Sequence, residues 1–229
     1  MIAIIDYQAG NICSVENALA RLGCEYTLTA DPAVIRAAEK VILPGVGNDA
    51  AAMRSLSERG LVSVIRSLRR PVLGICVGMQ VLCRDSEEGP CEGIGLFDAH
   101  VRRFPEPSQA GVALPVEGSI PRQGSILLPA MGSAAPAGEC PADAKVPHMG
   151  WNAIGNLDGK LFAGLKGGTY VYFVHSYYPT LGPDTIATCR HGQTLFSAAL
   201  RYENFYGTQF HPEKSGAAGA QILHNFLSL

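Results

Sequence analysis

The segment Arg69–Gln80, "RRPVLGICVGMQ", decides how the chain is read. Pro71 stops the helical pattern before it, "VLGI" is a short buried strand, and the residues from Val77 onward open a helix. Cys76 therefore stands at a strand-to-helix junction, with Gly74 two residues before it and Gly78 two after. Such a cysteine is either core filling, a common fate of free cysteine, or a nucleophile.

Working outward toward the N-terminus, strands and helices alternate. "MIAII" reads as a strand, and "SVENALARLG" as a helix with Ser14 as N-cap and Gly23 as its stop. "CEYTLT" is the next strand, followed by a helix in "DPAVIRAAE" capped by Asp31 with Pro32 in its first turn, and by the strand "KVIL". Residues 48–70 then space Met53, Leu56, Leu61, Ile65 and Leu68 along one face of a single helix. This alternation predicts right-handed crossovers and a parallel sheet covered on both faces.

Beyond Cys76 the pattern changes. "GLFDAHVRRF", "TYVYFVHSYYP", "TIATCRH", "TLFSAALRYE" and "NFYGTQF" are strand-like runs separated by turn residues, a meander with a more antiparallel character. "GAQILHNFLSL" closes the chain as a helix. Residues 105–142, mostly Gly, Pro, Ala and Ser with few charges, are read as a surface insertion in a single domain spanning 1–229. There is no internal repeat.

Composition narrows the function classes. With 18 basic and 20 acidic side chains the chain has a formal charge of -2, which offers no footprint for nucleic acid or an anionic membrane. Seven cysteines without a CxxC pair argue against a disulfide framework and a zinc ribbon, and fit a reducing cytoplasm. The start "MIAIID" lacks a basic n-region, and no apolar run is long enough to span a bilayer.

A nucleophilic cysteine needs a base and a hole for the oxyanion formed when it attacks a carbonyl. At the start of a helix, the Cys76 thiol would feel the positive end of the dipole, and the Val77 N–H would point at the reacting carbonyl. "YGTQFHPEKS" offers His211 as base and Glu213 to orient it, because residues two apart on an extended chain face one side and Pro212 biases His211 out of helix. A solvent-exposed turn histidine is the competing account. "LPGVGN", residues 43–48, ends a strand in a glycine-bounded turn whose amides can complete the oxyanion hole, or which simply leads into a helix capped by Asn48.

"GICVGMQ", "QFHPE" and "PGVG" together resemble the class I, triad-type glutamine amidotransferases, which have a flavodoxin-like α/β fold. "IDYQAGNICSV", "SEEG", "VPHMGWN" and "YFVHSYY" are similar to the glutaminase subunits of imidazole glycerol phosphate synthase. The resemblance implies hydrolysis of glutamine to glutamate and ammonia without cofactor or metal, and delivery of that ammonia to a (βα)8-barrel cyclase subunit in histidine biosynthesis. By the same resemblance Cys76, His211 and Glu213 form the catalytic triad; Gly45, Gly47, Gln80, Ser176 and Tyr177 hold substrate; Val46 and Val77 donate to the oxyanion; and Asn11 and Trp151 contact the partner. It further implies that the partner activates the glutaminase, with the "PGVG" turn as the switching element. Two features depart from the family: Gln8 replaces a glycine, and the 105–142 insertion occupies a stretch that relatives cross quickly.

Alternatives stay open on the residues alone. A different synthase partner keeps the same chemistry, and a γ-glutamyl peptide hydrolase uses a similar Cys-His elbow. Trp151 can equally be core packing, Asn11 a plain turn residue, His148 and His175 hydrogen-bonded structural histidines, and His224 a surface residue.

Overall fold

The computed structural model describes residues 1–8, 12–106 and 145–229. Asn11, Cys140 and nearly all of the 105–142 insertion lie outside the described residues.

The first half is βα alternation: β1 (Ile2–Ile5), α1 (Cys13–Arg21), β2 (Tyr26–Thr29), α2 (Pro32–Ala37), β3 (Lys40–Leu43), α3 (Asp49–Glu58), α4 (Leu61–Ser67), β4 (Val72–Ile75) and the single turn α5 (Val77–Gln80). Short strands follow at β5 (Asp85–Ser86), β6 (Cys91–Glu92) and β7 (His100–Arg103). The second half holds β8 (His148–Gly155), β9 (Thr169–His175), β10 (Tyr177–Pro179), β11 (Thr185–His191), β12 (Thr194–Tyr202), β13 (Phe205–Thr208) and α6 (Gly216–Leu227).

Among the described residues nine strands form one sheet in the order β2-β1-β3-β4-β13-β12-β11-β8-β9. From β2 to β13 neighbours run parallel, and from β13 to β9 they run antiparallel. The seam between these halves is β4 against β13, where Ile75 pairs with Thr208. That pairing is the structural reason why two distant segments meet: Cys76 follows Ile75, and His211 lies three residues past Thr208. Burial explains the parallel half, since Ile2–Ile5 and Val72–Ile75 are buried at every position, as strands covered on both faces must be.

Local chemistry accounts for most boundaries. Asp31 caps α2 by accepting from Ala33 N at 2.8 Å, and Asn48 caps α3 through Ala51 N at 3.1 Å. Two expectations change. Ser14 lies inside α1, whose N-cap is Ile12 with no side-chain hydrogen bond. The long helix of residues 48–70 is two helices, broken where Gly60 takes φ +67°. Leu56, Leu61, Ile65 and Leu68 remain buried on either side of the break, so the apolar face is kept although the axis is not.

A second sheet, with four strands among the described residues in the order β10-β7-β5-β6, lies beside the first. The run "TYVYFVHSYYP" is two strands rather than one, because at Ser176 the chain leaves the large sheet and joins the small one. "VPHMGWN" enters β8, which pairs along the length of β9. No helix among the described residues is long and apolar enough to cross a membrane.

Candidate active site

Cys76 sits at φ +53°, ψ -113°, outside the regions that L-residues favour. The elbow therefore strains the cysteine itself, and its glycines supply clearance. A Cβ on Gly78 would lie 1.9 Å from Leu43 O, and one on Gly74 would lie 2.5 Å from Gly78 O. Strain of this kind costs roughly 1–3 kcal/mol and persists only where the surroundings impose it. Here Cys76 N donates to Thr208 O at 2.8 Å across the β4–β13 seam. The helix behind the thiol is a single four-residue turn, so its dipole contributes little.

His211 is held from its backbone outward. Its N–H donates to Tyr172 O at 2.9 Å, and its carbonyl accepts from Ser215 Oγ at 2.6 Å; the same Oγ accepts from Tyr172 N at 2.9 Å. The backbone of His211 is extended, as Pro212 requires, but Glu213 belongs to a short 3-10 turn, Pro212–Lys214. It is this turn, and not strand alternation, that brings Glu213 Oε1 to 2.7 Å from His211 Nδ1. Both side chains are nearly dry, 2% and 4% exposed. Burial alone would depress the imidazole pKa, but the neighbouring Cys76 sulfur and the Glu213 carboxylate outweigh it and raise it to about 10. The other ring nitrogen, Nε2, is buried and has no hydrogen-bond partner among the described residues.

Cys76 and His211 line a cleft of about 170 Å³ together with Val46, Gly47, Val77, Gln80, Glu88, Val174, His175, Ser176 and Tyr177. That is room for one small molecule and well below a drug-sized site. Of the residues expected at the site, Cys76, His211, Val46, Gly47, Val77, Gln80, Ser176 and Tyr177 converge on it, and Glu213 backs His211 from behind. Gly45 stands apart: its α-carbon is packed on the elbow, where a Cβ would be 2.2 Å from Gly78 N, so it spaces the turn and does not line the cleft. Gln80 spends both amide hydrogens on the protein, donating to Tyr177 O and to Gln209 Oε1 at 2.9 Å each.

Two polar residues beside the catalytic cysteine and the cleft carry no signal of their own in the sequence. Gln209 is fully buried and directs its Nε2 to Cys76 Sγ at 3.6 Å. It lies two residues before His211, a spacing that would have placed it on the same side of the strand. Glu88, within the "SEEG" stretch, is the carboxylate in the cleft wall, and burial raises its pKa.

The flanking histidines are structural in geometry. His175 Nδ1 donates to Tyr177 O at 2.7 Å, which leaves Nε2 to accept from His148 Nδ1 at 3.0 Å. Burial lowers the pKa of both, that of His148 to about 3. Among the described residues no group of three or more His, Cys, Asp or Glu is arranged to hold a metal ion. Trp151 is 55% exposed, which excludes core packing, and shares a face of β8 with exposed Met149.

The family model for class-I glutamine amidotransferases matches residues 3–229. Imidazole glycerol phosphate synthase subunit HisH of Bacteroides fragilis (strain YCH46) is 46% identical over 228 residues, which cover 100% of this chain and 99% of that protein. The HisH subunit of Escherichia coli (strain K12) is 41% identical over 229 residues, with the same coverage. A crystal structure of a glutamine amidotransferase superposes with TM-score 0.63 at 18% identity, covering 99% of this chain and 97% of that one, a likeness of fold. A cysteine on a strained strand-to-helix elbow, a buried His–Glu pair across the sheet seam and these full-length matches lead to one assignment: the chain belongs to the class-I glutamine amidotransferase family, among the HisH-type subunits.

Proposed function

We propose that the chain is the glutaminase subunit of an imidazole glycerol phosphate synthase, hydrolysing L-glutamine to glutamate and ammonia for a (βα)8-barrel cyclase partner in histidine biosynthesis. The observation that carries this reading is the shared cleft of Cys76 and His211, with Glu213 on the far nitrogen of the imidazole.

In this reading the Cys76 thiol gives its proton to His211 Nε2 as sulfur bonds to the carboxamide carbon of glutamine. The raised basicity of His211 favours that transfer. The resulting oxyanion is met by backbone amides of Val77 and of the Val46–Gly47 turn. On collapse the C–N bond breaks, and His211 returns the proton to the nitrogen, which leaves as ammonia. Water then attacks the thioester with His211 as base, and glutamate departs as Cys76 regains its proton. Glu213 keeps the imidazole oriented through both stages, as a carboxylate does in triads on other folds. Glutamine's one cation is its α-ammonium, and among the described residues Glu88 is the carboxylate that lines the cleft, so Glu88 receives the ammonium. Ser176 and Tyr177 lie beside the α-carboxylate end.

An exposed apolar strip supports a protein partner close to this chemistry. Met149, Trp151 and Tyr170 are 68%, 55% and 61% exposed on the adjoining strands β8 and β9. Trp151 pairs in register with Tyr172, whose carbonyl holds His211 N. Aromatic and methionine side chains of this kind form the anchors of protein interfaces.

The test mixes the chain with the barrel cyclase of the same organism and follows glutamate release with and without the cyclase substrate. A strong partner-dependent rise is expected. Flat, partner-independent hydrolysis would favour a free γ-glutamyl hydrolase and overturn the assignment.

A further inference from the structure

Asp49 is completely buried, at 0% exposure, in the first turn of α3, directly after the turn that forms one wall of the cleft. A carboxyl without access to water needs a reason, because its desolvation is expensive unless it is well hydrogen-bonded. Only half of this one is satisfied. Oδ2 accepts from Ser86 Oγ at 2.5 Å, and Oδ1 has no hydrogen-bond partner among the described residues.

The contacts around it close into a ring that includes Glu88. Asp49 N donates to Glu88 Oε2 at 3.0 Å. Ser86 Oγ, while donating to Asp49 Oδ2, accepts from Glu88 N at 3.0 Å. Asp49 thus holds Glu88 twice, by the carboxylate through its own backbone and by the main chain through the Ser86 hydroxyl. Both grips link the wall formed by residues 46–48 to the loop at 86–89.

We propose that Asp49 is a positioning residue: through Ser86 it fixes the Glu88 carboxylate in the orientation that receives the α-ammonium of glutamine. The inference rests on the reading of Glu88 given above. Charge fits the arrangement. Burial, with a further contribution from Glu88, outweighs the Ser86 hydrogen bond and raises the Asp49 pKa to about 7. The orphaned Oδ1 favours the neutral acid in the same direction, since a buried oxygen without a donor stabilises the carboxylate poorly.

The experiment measures ammonia release by the full chain with its barrel partner, on glutamine and on glutaric acid monoamide, which lacks the α-ammonium. Glu88→Gln is expected to raise KM for glutamine by about 10- to 100-fold, the worth of a hydrogen-bonded charge pair. Its KM for the monoamide should not change. Asp49→Ala and Ser86→Ala should each raise KM for glutamine roughly tenfold with kcat nearly unchanged, again sparing the monoamide. Asp49→Asn retains an acceptor for Ser86 Oγ and should restore KM to nearly the original value, a rescue that a role in folding alone would not give on one substrate only.

If Glu88→Gln discriminates between the substrates and the Asp49 and Ser86 variants do not, the positioning role is wrong and the reading of Glu88 stands. If Glu88→Gln fails to discriminate, the reading of Glu88 falls and the proposal falls with it. Should Asp49→Ala not fold, Ser86→Ala and Asp49→Asn carry the same comparison.

Discussion

Replacing Gly78 by alanine tests the elbow without touching any group that reacts. The φ of Gly78 lies outside the left-handed region, so alanine brings no conformational penalty of its own and the whole effect is contact. The new Cβ would lie 1.9 Å from Leu43 O, 2.9 Å from Leu43 C and 3.1 Å from Pro44 O. Ordinary contact begins at 3.4 Å, so the end of β3 must retreat by about 1.5 Å from the elbow. These are main-chain atoms of a central strand, and no side-chain rotation relieves them. Overpacking of this kind costs about 3 kcal/mol, which for a chain of this size lowers the melting temperature by roughly 6–12 °C. The displaced strand end carries the Val46–Gly47 turn, and a 1 Å misplacement of catalytic groups costs on the order of a hundredfold in rate. Glutamate release by the complex should therefore fall about a hundredfold in kcat. Gly23→Ala is the control: its φ of +69° with nothing within 4 Å predicts a loss of about 1 kcal/mol from strain and unaltered turnover. A Gly78→Ala protein with ordinary kcat and melting temperature would refute the clearance reasoning, and with it the account of how the strained cysteine is held.

Cys76→Ser should abolish glutamine-dependent synthesis by the complex while ammonia-dependent synthesis persists, and undiminished glutamine use would remove Cys76 from the chemistry. Glu213→Gln takes away a carboxylate that raises the His211 pKa, so the alkaline limb of the pH–rate profile should move to lower pH and kcat should fall by about 10²- to 10⁴-fold, read from initial rates across pH. For Asp49 the folded-state pKa of about 7 lies above the ordinary 3.8, so the unfolded chain ionises first and stability is lost as pH rises from about 4 to 7. Asp49→Asn removes that penalty. Denaturant titrations should show the variant more stable at pH 8, by up to roughly 4 kcal/mol, and the gain should shrink toward zero at pH 4. Glu88, Ser86, Tyr7, Cys83 and Cys91 are the neighbours whose own ionisation or hydrogen bonding enters that difference.

What could be read in the chain and what could not divide along a physical line. Signals confined to one segment came through: Pro71 before a β-branched run, Asp31 ahead of Pro32, Pro212 forcing His211 into extended backbone. Each acts through neighbours in sequence, and each element stands where those signals put it. Misreadings arose where tertiary packing overrode a local rule. Ser14 has good capping chemistry, yet α1 begins one residue before it. Apolar spacing continued through Gly60 as though the helix did, because both helices bury the same face against one core. The small sheet leaves little trace in the sequence, since its strands β5 and β6 have two residues each, too few for any period to register.

The candidate site shows the same division more sharply. Cys76, His211 and Glu213 could be named because each belongs to a short motif with its own chemistry. Their meeting depends on β13 inserting beside β4 in parallel, a pairing across more than a hundred residues that no local pattern encodes. Asp49 is the extreme case. In the sequence it is one acidic residue at a helix start, the commonest and least informative place for an aspartate, and its two partners lie 37 and 39 positions away. Only the burial of its carboxyl against the "SEEG" loop separates it from an ordinary helix-end charge, and that burial arises when the two cleft walls close on each other. A residue whose role is to fix another residue leaves its mark in the contacts, and the substrate comparison between glutamine and its desamino amide reads that mark in a way that sequence spacing cannot.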